Sequence, residues 1–422
     1  MFWRRLQALV PTRSKGALGA GGLQSPGKSH DSPRGHEQCA SGEGAWPCGG
    51  RGLPVAMRGA ARAVRLVAMA ATGTGTSADI GTGHKRPHPE PAARIGTHDG
   101  TFHCDEALAC FLLRLLPRYQ DAEIVRTRDP QRLAGCDVVV DVGGEYDPGR
   151  HRYDHHQRSF TESMRSLRPD KPWSTKLSSA GLVYCHFGAQ ILAGLLGQPE
   201  DGPVVTALYD KLYENFVEEI DAMDNGIAPA AGEPRYALST TLSARVGHLN
   251  PRWNDPDQDT EAGFRRAMEL VGTEFLQRLD FYHRAWLPAR ALVEEAVRRR
   301  LEVDASGQVL ELSQGGCPWK EHLFQLEREL VLPRPLLLVL FPDRGGQWRV
   351  QSVPTAPHSF QSRLPLPEAW RGLRDEALSE LAGIPGCVFV HASGFIGGNR
   401  TREGALEMAR RALELGGGTE ST

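Results

Sequence analysis

Residues 136–157 read CDVVVDVGGEYDPGRHRYDHHQ and carry the strongest structural signal in the chain. The opening CDVVVDV is apolar and β-branched, which is typical of a buried parallel strand, and Asp141 lies at its carboxyl end. The stretch leads into the triplet Asp154, His155 and His156. Neighbouring side chains on an extended backbone point opposite ways, so we expect one imidazole to face a metal ion and the other to face a ligand.

Two other segments carry the same kinds of side chain. Residues 94–106, RIGTHDGTFHCDE, combine two histidines and two aspartates, and residues 217–227, VEEIDAMDNGI, place two aspartates one helical turn apart before an Asn-Gly stop. Together they hold enough imidazole and carboxylate for two metal ions. A donor set without cysteine favours Mn²⁺ or Mg²⁺ and is also compatible with Zn²⁺. The candidate ligands are His98, His103, Asp105, Asp141, His155, Asp221 and Asp224.

The order of elements predicts an α/β fold. Strands are expected to end near Gly96 and to span 123–128 and 137–142, with an apolar helix over 106–116. This alternation favours a mostly parallel sheet whose ligands gather outside the carboxyl ends of its strands. A chain of 422 residues also exceeds what one core usually serves, so two domains are expected. We predict a targeting region (1–90), a metal-binding domain (91–255), a helical linker (256–300) and a smaller α/β domain (301–422).

The second half of the chain changes from helical to strand-like patterns. Residues 260–301 predict a long amphipathic helix interrupted at Pro288. Short strands are then predicted at 301–304, 307–312, 335–341, 347–353 and 387–393, with helices at 368–381 and 401–415. The Gly-rich segment SGFIGGNRTREGA, residues 393–405, lies between the last strand and the last helix. It is either an anion-binding loop at a helix start or a simple tight turn.

The composition and charge of the chain limit the kinds of binding partner that can be expected. The net charge of −2 gives no overall nucleic-acid signature, so a polyanion would have to meet local basic patches or metal ions. No stretch of about 18 apolar residues is evident, so membrane insertion is not expected. Residues 1–30 and 44–78 contain arginines and no acid, which favours a mitochondrial transit peptide over a disordered Gly- and Ser-rich tail.

Four motifs carry a family resemblance: GTHDGTFHCDEALA (96–109), VVDVGGEYD (139–147), RYDHHQRSF (152–160) and SGFIGG (393–398). They resemble the DHH phosphoesterase superfamily and, within it, the melanocyte proliferating gene one family of Myg exonucleases, from about residue 95 to about 412. The resemblance implies a DHH-type parallel-sheet domain joined by a long helical segment to a smaller α/β domain. It also implies a metal-dependent 3′–5′ exonuclease acting on RNA in the mitochondrial matrix and in the nucleus, including nucleoplasm and nucleolus.

The resemblance also implies roles for individual residues. The first ion would be held by His98, His103 and Asp141, and the second by Asp105, Asp141, His155 and Asp224. Asp221 is the rival of Asp224, which is preferred because it precedes the helix stop. His156 would face the substrate phosphate, and Asp154 would orient an imidazole. His103 stands where many relatives have aspartate.

Substrate contacts would come from the second domain, at Gly394, Gly397, Gly398, Arg400 and Arg402. The family's Gly-rich loop often ends in histidine, whereas Asn399 and Arg400 occupy that region here.

Two other functions compete with the RNA exonuclease, for which a single-stranded substrate is expected. A small-molecule phosphohydrolase acting on pyrophosphate or a cyclic dinucleotide would need a closed pocket lined by Lys and Arg. A non-catalytic RNA-binding protein would have lost its metal ligands, but here every ligand position holds a competent group.

Overall fold

A computed structural model of the protein describes residues 92–232 and 235–416. Over these residues the chain forms two five-stranded sheets with helices packed against them. The predicted α/β class is therefore confirmed. The predicted targeting region, residues 1–90, lies outside the described residues.

The first sheet has the strand order β2-β1-β3-β5-β4. Its strands are β1 (Arg94–Thr97), β2 (Glu123–Arg126), β3 (Val138–Val140), β4 (Tyr146–Asp147) and β5 (Arg152–Tyr153). Strand β1 pairs in parallel with β2 and β3, β3 pairs in parallel with β5, and β4 closes the edge antiparallel to β5. The first three strands match the predicted ones. Strands β4 and β5, of two residues each, are too short for a sequence pattern to indicate.

The topology brings the polar segments to one edge. Because β1, β3 and β5 are adjacent and parallel, their carboxyl ends meet on the same side of the sheet. His98 follows β1 directly, Asp141 follows β3, and Asp154 follows β5.

Helices cover the first sheet and share its core. They are α1 (Cys104–Leu113), α2 (Pro130–Ala134), α3 (Met164–Leu167), α4 (Ser179–Leu196), α5 (Pro203–Leu212), α6 (Glu218–Asp224), α7 (Leu242–Gly247) and α8 (Thr260–Phe281). Leu108, Tyr184 and Phe275 from α1, α4 and α8 are buried in one cluster with Val140 of β3. Helix α8 approaches α1 closely because it has a glycine at the contact, where a Cβ on Gly272 would lie 2.1 Å from the Phe111 ring.

Helix α4 is long and apolar enough to cross a membrane by length and composition, contrary to the expectation that no stretch would be. Its interspersed Gly, Ser, His and Gln hide this in the sequence. In the structure 56% of the helix is buried, against α1, α5 and the first sheet. Its packing is that of a core helix.

Residues 260–303 follow a helical path with a turn at Arg299. Helix α8 runs into a π-helical turn (Tyr282–Trp286) and then α9 (Leu287–Arg298) and α10 (Arg300–Val303). The prediction that Pro288 interrupts the regular helix is confirmed, because the π-helical turn directly ahead of it separates α8 from α9 and leaves room for the proline ring in the first turn of α9. The predicted strand at 301–304 is wrong, because these residues continue the helical path into α10, with Leu301 exposed.

The second sheet has the order β6-β7-β8-β10-β9, with only β6 and β7 parallel. Its strands are β6 (Val309–Glu311), β7 (Leu338–Pro342), β8 (Trp348–Ser352), β9 (Cys387–Val390) and β10 (Ile396–Asn399). The helices are α11 (Lys320–Glu329), α12 (Asp375–Ala382) and α13 (Arg402–Gly416), and 3₁₀ turns lie at Pro117–Tyr119, Pro148–Arg150 and Glu368–Trp370. One core packs α12 and α13 against the sheet, and another packs α9 and α11.

The predicted Gly-rich loop at 393–405 is partly a strand. Ile396–Asn399 forms β10, paired antiparallel with β8 and β9. Gly397 has no room for a side chain, since a Cβ there would lie 2.9 Å from Leu366 and 3.0 Å from the Phe389 carbonyl. Glycine disfavours strands intrinsically, so this strand depends on its tertiary partners.

Candidate metal centre

A cleft of about 860 Å³ opens at the carboxyl edge of the first sheet. Asp141 begins the turn after β3 with a left-handed φ of +59°, followed by two more positive φ values at Gly143 and Gly144. Aspartate tolerates this backbone conformation better than most residues. The turn carries the chain sharply away from β3 while the Asp141 carboxylate stays in the cleft, where the residue is only 4% exposed.

His98 faces two carboxylates with its Nε2 atom. Its Nδ1 lies 3.0 Å from the Asp99 carbonyl oxygen, which can only accept, so Nδ1 carries a hydrogen. Its Nε2 lies 3.1 Å from Glu106 Oε1 and 3.3 Å from Asp141 Oδ2. Burial lowers the pKa of His98, but the two carboxylates outweigh it and raise the pKa to about 10. The arrangement calls for a positive charge between these atoms, either a proton or a metal ion.

The remaining predicted ligands complete two groups. Ligand atoms of His98, His103, Glu106 and Asp141 lie within 4.8 Å of one another, as do those of Asp105, His155 and Asp224. His155 Nε2 lies 2.7 Å from Asp224 Oδ2, and His155 Nδ1 lies 3.5 Å from Asp141 Oδ1. Asp141 belongs to the first group and, with Asp154, His155 and His156, to a third group, so it links His98 to His155. Its Oδ1 approaches His155 at Nδ1, whereas Asp224 lies at Nε2.

The donor set fits divalent cations. Both carboxylate oxygens of Asp105 are buried without a hydrogen-bond partner among the described residues. Burial raises the pKa of Asp105 well above its usual range, and the nearby Asp141 and Asp224 raise it further. Buried carboxylates without donors cost several kcal/mol unless a cation or proton compensates them. Divalent ions held by these imidazoles and carboxylates would satisfy them together.

His156 and Asp154 lie beside Asp141 and His155, and the ligand atoms of these four residues come within 4.8 Å of one another. His156 Nδ1 donates to Asp154 Oδ1 at 2.7 Å, and the Gly144 backbone amide donates to Asp154 Oδ2 at 2.6 Å. Burial alone would raise the pKa of Asp154, but the hydrogen bonds to its carboxylate have the larger effect together, so the pKa lies below its usual value. The His156 side chain is 62% exposed, whereas that of His155 is 4% exposed. The two imidazoles therefore differ in exposure, but the prediction that they point opposite ways is wrong, because their ring centres are 4.3 Å apart and each Nδ1 lies 3.5 Å from Asp141 Oδ1.

The structure separates Asp221 from Asp224. Asp221 is fully buried, where it accepts from the backbone amides of Ser178 and Gly181 and from the Ser178 and Tyr213 hydroxyls. A Cβ on Gly181 would lie 2.3 Å from its carboxylate oxygens. Asp221 therefore ties α6 to the start of α4, while Asp224 at the end of α6 reaches the cleft.

The predicted substrate residues lie in the second sheet and its turns. Gly394 follows β9 with a φ of +74°, Gly397 and Gly398 are buried in β10, and Arg400 is exposed. Arg402 is engaged by Glu311, with its Nη2 donating to Glu311 Oε2 at 2.6 Å and its Nε donating to the same carboxylate at 3.0 Å. A phosphate would have to compete with that carboxylate for Arg402.

Sequence reasoning missed three residues that the structure places at these surfaces. Glu106 enters the first ligand group, although it reads as the start of a helix. Arg349 and Phe389 flank Gly398 on neighbouring strands, with the Arg349 guanidinium 5.3 Å from the Phe389 ring centre. The His-x-x-Glu spacing of a helix start was a usable signal for Glu106. Nothing in the sequence pattern pairs Arg349 with Phe389.

Comparison with known proteins identifies the family. Residues 94–413 match the family model MYG1_exonuc, described as "Uncharacterised protein family (UPF0160)". The chain is 72% identical to the Homo sapiens protein named MYG1 exonuclease over 321 residues, which cover 76% of this chain and 85% of that protein. It is 71% identical to the Rattus norvegicus MYG1 exonuclease, over 78% of this chain and 87% of that protein. It is 51% identical to the Caenorhabditis elegans MYG1 protein C27H6.8, over 76% and 95%. With its strand-edge histidines and aspartates in the matched region, the chain belongs to the MYG1 exonuclease family.

Proposed function

We propose that this protein is a metal-dependent 3′–5′ exonuclease that hydrolyses single-stranded RNA by a two-metal mechanism. The observation that carries the proposal is the Asp141 carboxylate, whose Oδ2 lies 3.3 Å from His98 and whose Oδ1 lies 3.5 Å from His155, two buried histidines that belong to different candidate ligand groups. The mammalian relatives named MYG1 exonuclease support nuclease activity in particular. The DHH-type arrangement of motifs supports phosphodiester hydrolysis as the chemistry.

The cleft lining favours a polymer over a small phosphate. Among the described lining residues, Arg128 is the only lysine or arginine, and it is paired with Asp99 at 2.8 Å. A site for pyrophosphate or a cyclic dinucleotide would need more cations to neutralise several phosphates at once. The ligands here suffice for one scissile phosphate, with flanking phosphates met elsewhere.

The chain's residues divide the catalytic work. Divalent ions, when bound, would lower the pKa of an attacking water and neutralise charge on the transferring phosphoryl group. Asp141, His98 and His155 would hold them in the dry base of the cleft. His156 would direct its Nε2 toward a phosphate oxygen at the rim. Asp154 would keep that orientation by accepting from Nδ1, and because this hydrogen bond raises the pKa of His156 it would favour the imidazolium, whose Nε2–H can donate to the phosphate oxygen.

Purified full-length protein tests the proposal directly. We expect loss of 3′-terminal nucleotides from 5′-labelled RNA with Mn²⁺ or Mg²⁺, and none with EDTA. Blocking the 3′ end with phosphate should stop the reaction if polarity is 3′–5′. Faster turnover of pyrophosphate than of RNA would support the small-molecule alternative. Binding of RNA without cleavage under all metal conditions would support a non-catalytic role, and preference for DNA would change the substrate class.

A row on the second sheet is a candidate contact for the RNA strand. Arg349, Gly398 and Phe389 are cross-strand neighbours on β8, β10 and β9. Directly paired residues share a face, and a Cβ on Gly398 would lie 2.5 Å from Arg349 Nη1. The guanidinium, also held by Asp343, thus lies over a bare backbone beside an aromatic ring. Such combinations bind phosphates and stack bases in single strands.

Changing Arg349 to Gln should raise KM for RNA and leave a short model phosphodiester unaffected. One lost phosphate contact should flatten the salt dependence of strand binding by about 0.7 in log affinity against log salt. Arg402→Gln tests the predicted alternative, because its guanidinium is likewise engaged by a carboxylate, that of Glu311. If the Arg402 variant changes KM and the salt dependence more than the Arg349 variant does, the RNA strand contacts the residues predicted from the sequence, Arg400 and Arg402.

The proposed location is the mitochondrial matrix together with the nucleus. It is supported by the arginines and the absence of acids in residues 1–30 and 44–78. Deleting residues 1–70 should prevent uptake by isolated mitochondria while leaving the cleft and its activity intact. Uptake of the shortened chain at the level of the full-length chain would contradict the proposed mitochondrial location.

A further inference from the structure

Glu106 is more deeply buried than its structural role requires. Its Oε1 accepts a hydrogen bond from the His103 backbone amide at 2.7 Å, which caps the start of α1. Its Oε2 is buried and has no hydrogen-bond partner among the described residues. A capping carboxylate ordinarily keeps its second oxygen in water, since desolvating an unpaired oxygen is costly. The cap therefore accounts for the position of Oε1 but does not account for the burial of Oε2.

The surroundings of Glu106 are those of a cation site. Oε1 lies 3.1 Å from His98 Nε2, while the other ring nitrogen faces the Asp99 carbonyl oxygen. Two carboxylates around one ring nitrogen require a positive charge there, which is the second proton of the imidazole without metal and the ion itself when metal is bound. Asp141 Oδ2 approaches the same nitrogen at 3.3 Å from another direction. Arg126, a nearby cation, directs its guanidinium to Glu261 and to the carbonyls of His98 and Gly100 instead.

We propose that Glu106 is a ligand of the first metal ion, together with His98, His103 and Asp141. This inference rests on the proposed two-metal function and adds a carboxylate to its ligand set. The first site would then have two imidazoles and two carboxylates, whereas the second group has one imidazole, His155, among carboxylates. More nitrogen favours Mn²⁺ or Zn²⁺ over Mg²⁺. The two sites would consequently differ in metal preference, with the first the more selective against Mg²⁺.

The Glu106→Gln variant separates the metal role from the capping role. Glutamine has nearly the same shape, and its carbonyl oxygen can still accept from the His103 amide, but it brings no charge to an ion. Full-length protein stripped with EDTA is titrated with Mn²⁺ by calorimetry. We expect two ions on the wild type, and on the variant one ion of unchanged affinity with the other weakened at least tenfold. Glu123→Gln is the matched control, since Glu123 is an exposed residue of β2 paired with Arg94.

The possible outcomes are distinct. Two ions of unchanged affinity on Glu106→Gln would overturn the inference and leave the proposed function standing. No Mn²⁺ on the wild type would overturn both. The metal-free variant should melt at or above the melting temperature of the wild type, because one buried charge is removed. A lower melting temperature with unchanged Mn²⁺ binding would show that Glu106 only caps the helix.

A measurement on the wild type covers a variant that fails to fold. Crystals grown with Mn²⁺ should show an anomalous peak with a Glu106 oxygen about 2.0–2.2 Å away, the range of Mg²⁺ and Zn²⁺ contacts to oxygen. A peak near His98 with both Glu106 oxygens beyond about 3 Å would overturn the assignment.

Discussion

Replacing Asp141 with alanine should reduce RNA hydrolysis at least about a thousandfold, because its carboxylate lies beside both His98 and His155. Among the described residues of these groups, Asp141 alone shares a group with His98 and another with His155, so no neighbour can substitute for it. The metal-free variant should remain folded, because removing one of several clustered acids relieves their repulsion and offsets the strain of alanine at the left-handed φ of +59°. Single-turnover rates on labelled RNA, metal content by mass spectrometry and thermal melting in EDTA measure the three effects.

Asp137 supplies the control for Asp141. It precedes β3, as Asp141 follows it, and its carboxylate accepts from the Arg94 backbone amide and from Arg118 away from the cleft. Asp137→Ala should lower stability slightly and leave hydrolysis and metal content unchanged. Full activity of Asp141→Ala would refute the bridging assignment, and equal losses in both variants would indicate damage to the sheet.

His156→Gln should reduce kcat about 10²–10⁴-fold while both ions remain bound. The His156 side chain is exposed at the rim of the cleft, and among the described residues the one carboxylate within 3 Å of it is that of Asp154. We therefore expect the buried ligands to stay in place when the imidazole is removed. Asp154→Asn should cost less, about 10–100-fold, because the imidazole is then present but poorly oriented. Rates at saturating RNA, with Mn²⁺ binding measured in parallel, distinguish loss of chemistry from loss of metal.

His186→Gln is the matched histidine control. His186 Nε2 lies 2.9 Å from the Tyr146 hydroxyl, and the residue does not line the cleft. We expect it to retain full activity. Metal loss in His156→Gln would instead place His156 among the ligands and remove the substrate-facing role.

The first sheet could be predicted from the sequence because the patterns that indicate its strands are local. The run Val138–Val140 is β-branched and continuous, and an aspartate directly after it marks the carboxyl edge. Topological rules then place the residues after β1 and β3 together, although they are far apart in the chain. Asp224 was preferred over Asp221 on the helix stop, and the structure brings Asp224 to the cleft.

The missed features depend on tertiary contacts. Strand β10 contains two consecutive glycines, which no propensity assigns to a strand, and it exists because β8 and β9 pair with it. Glu106 looks like an ordinary acid in a first helical turn, where charge is normally solvated. Only the packing of α1 against the sheet shows that it is buried and faces His98. Likewise, only the fold shows that Arg402 is engaged by Glu311.

The ties between α4 and α6 bear on the order of folding. Asp221 can accept its hydrogen bonds from Ser178 and Gly181 only after the start of α4 has docked against α6, and Asp224 at the end of α6 reaches the cleft. The centre also needs β1, β3 and β5 in register, so it is assembled from contacts distant in sequence, which form late. A chain still folding would expose its histidines and aspartates separately, each able to capture an ion in a non-native arrangement. Refolding under chelation, with metal added last, follows from this order.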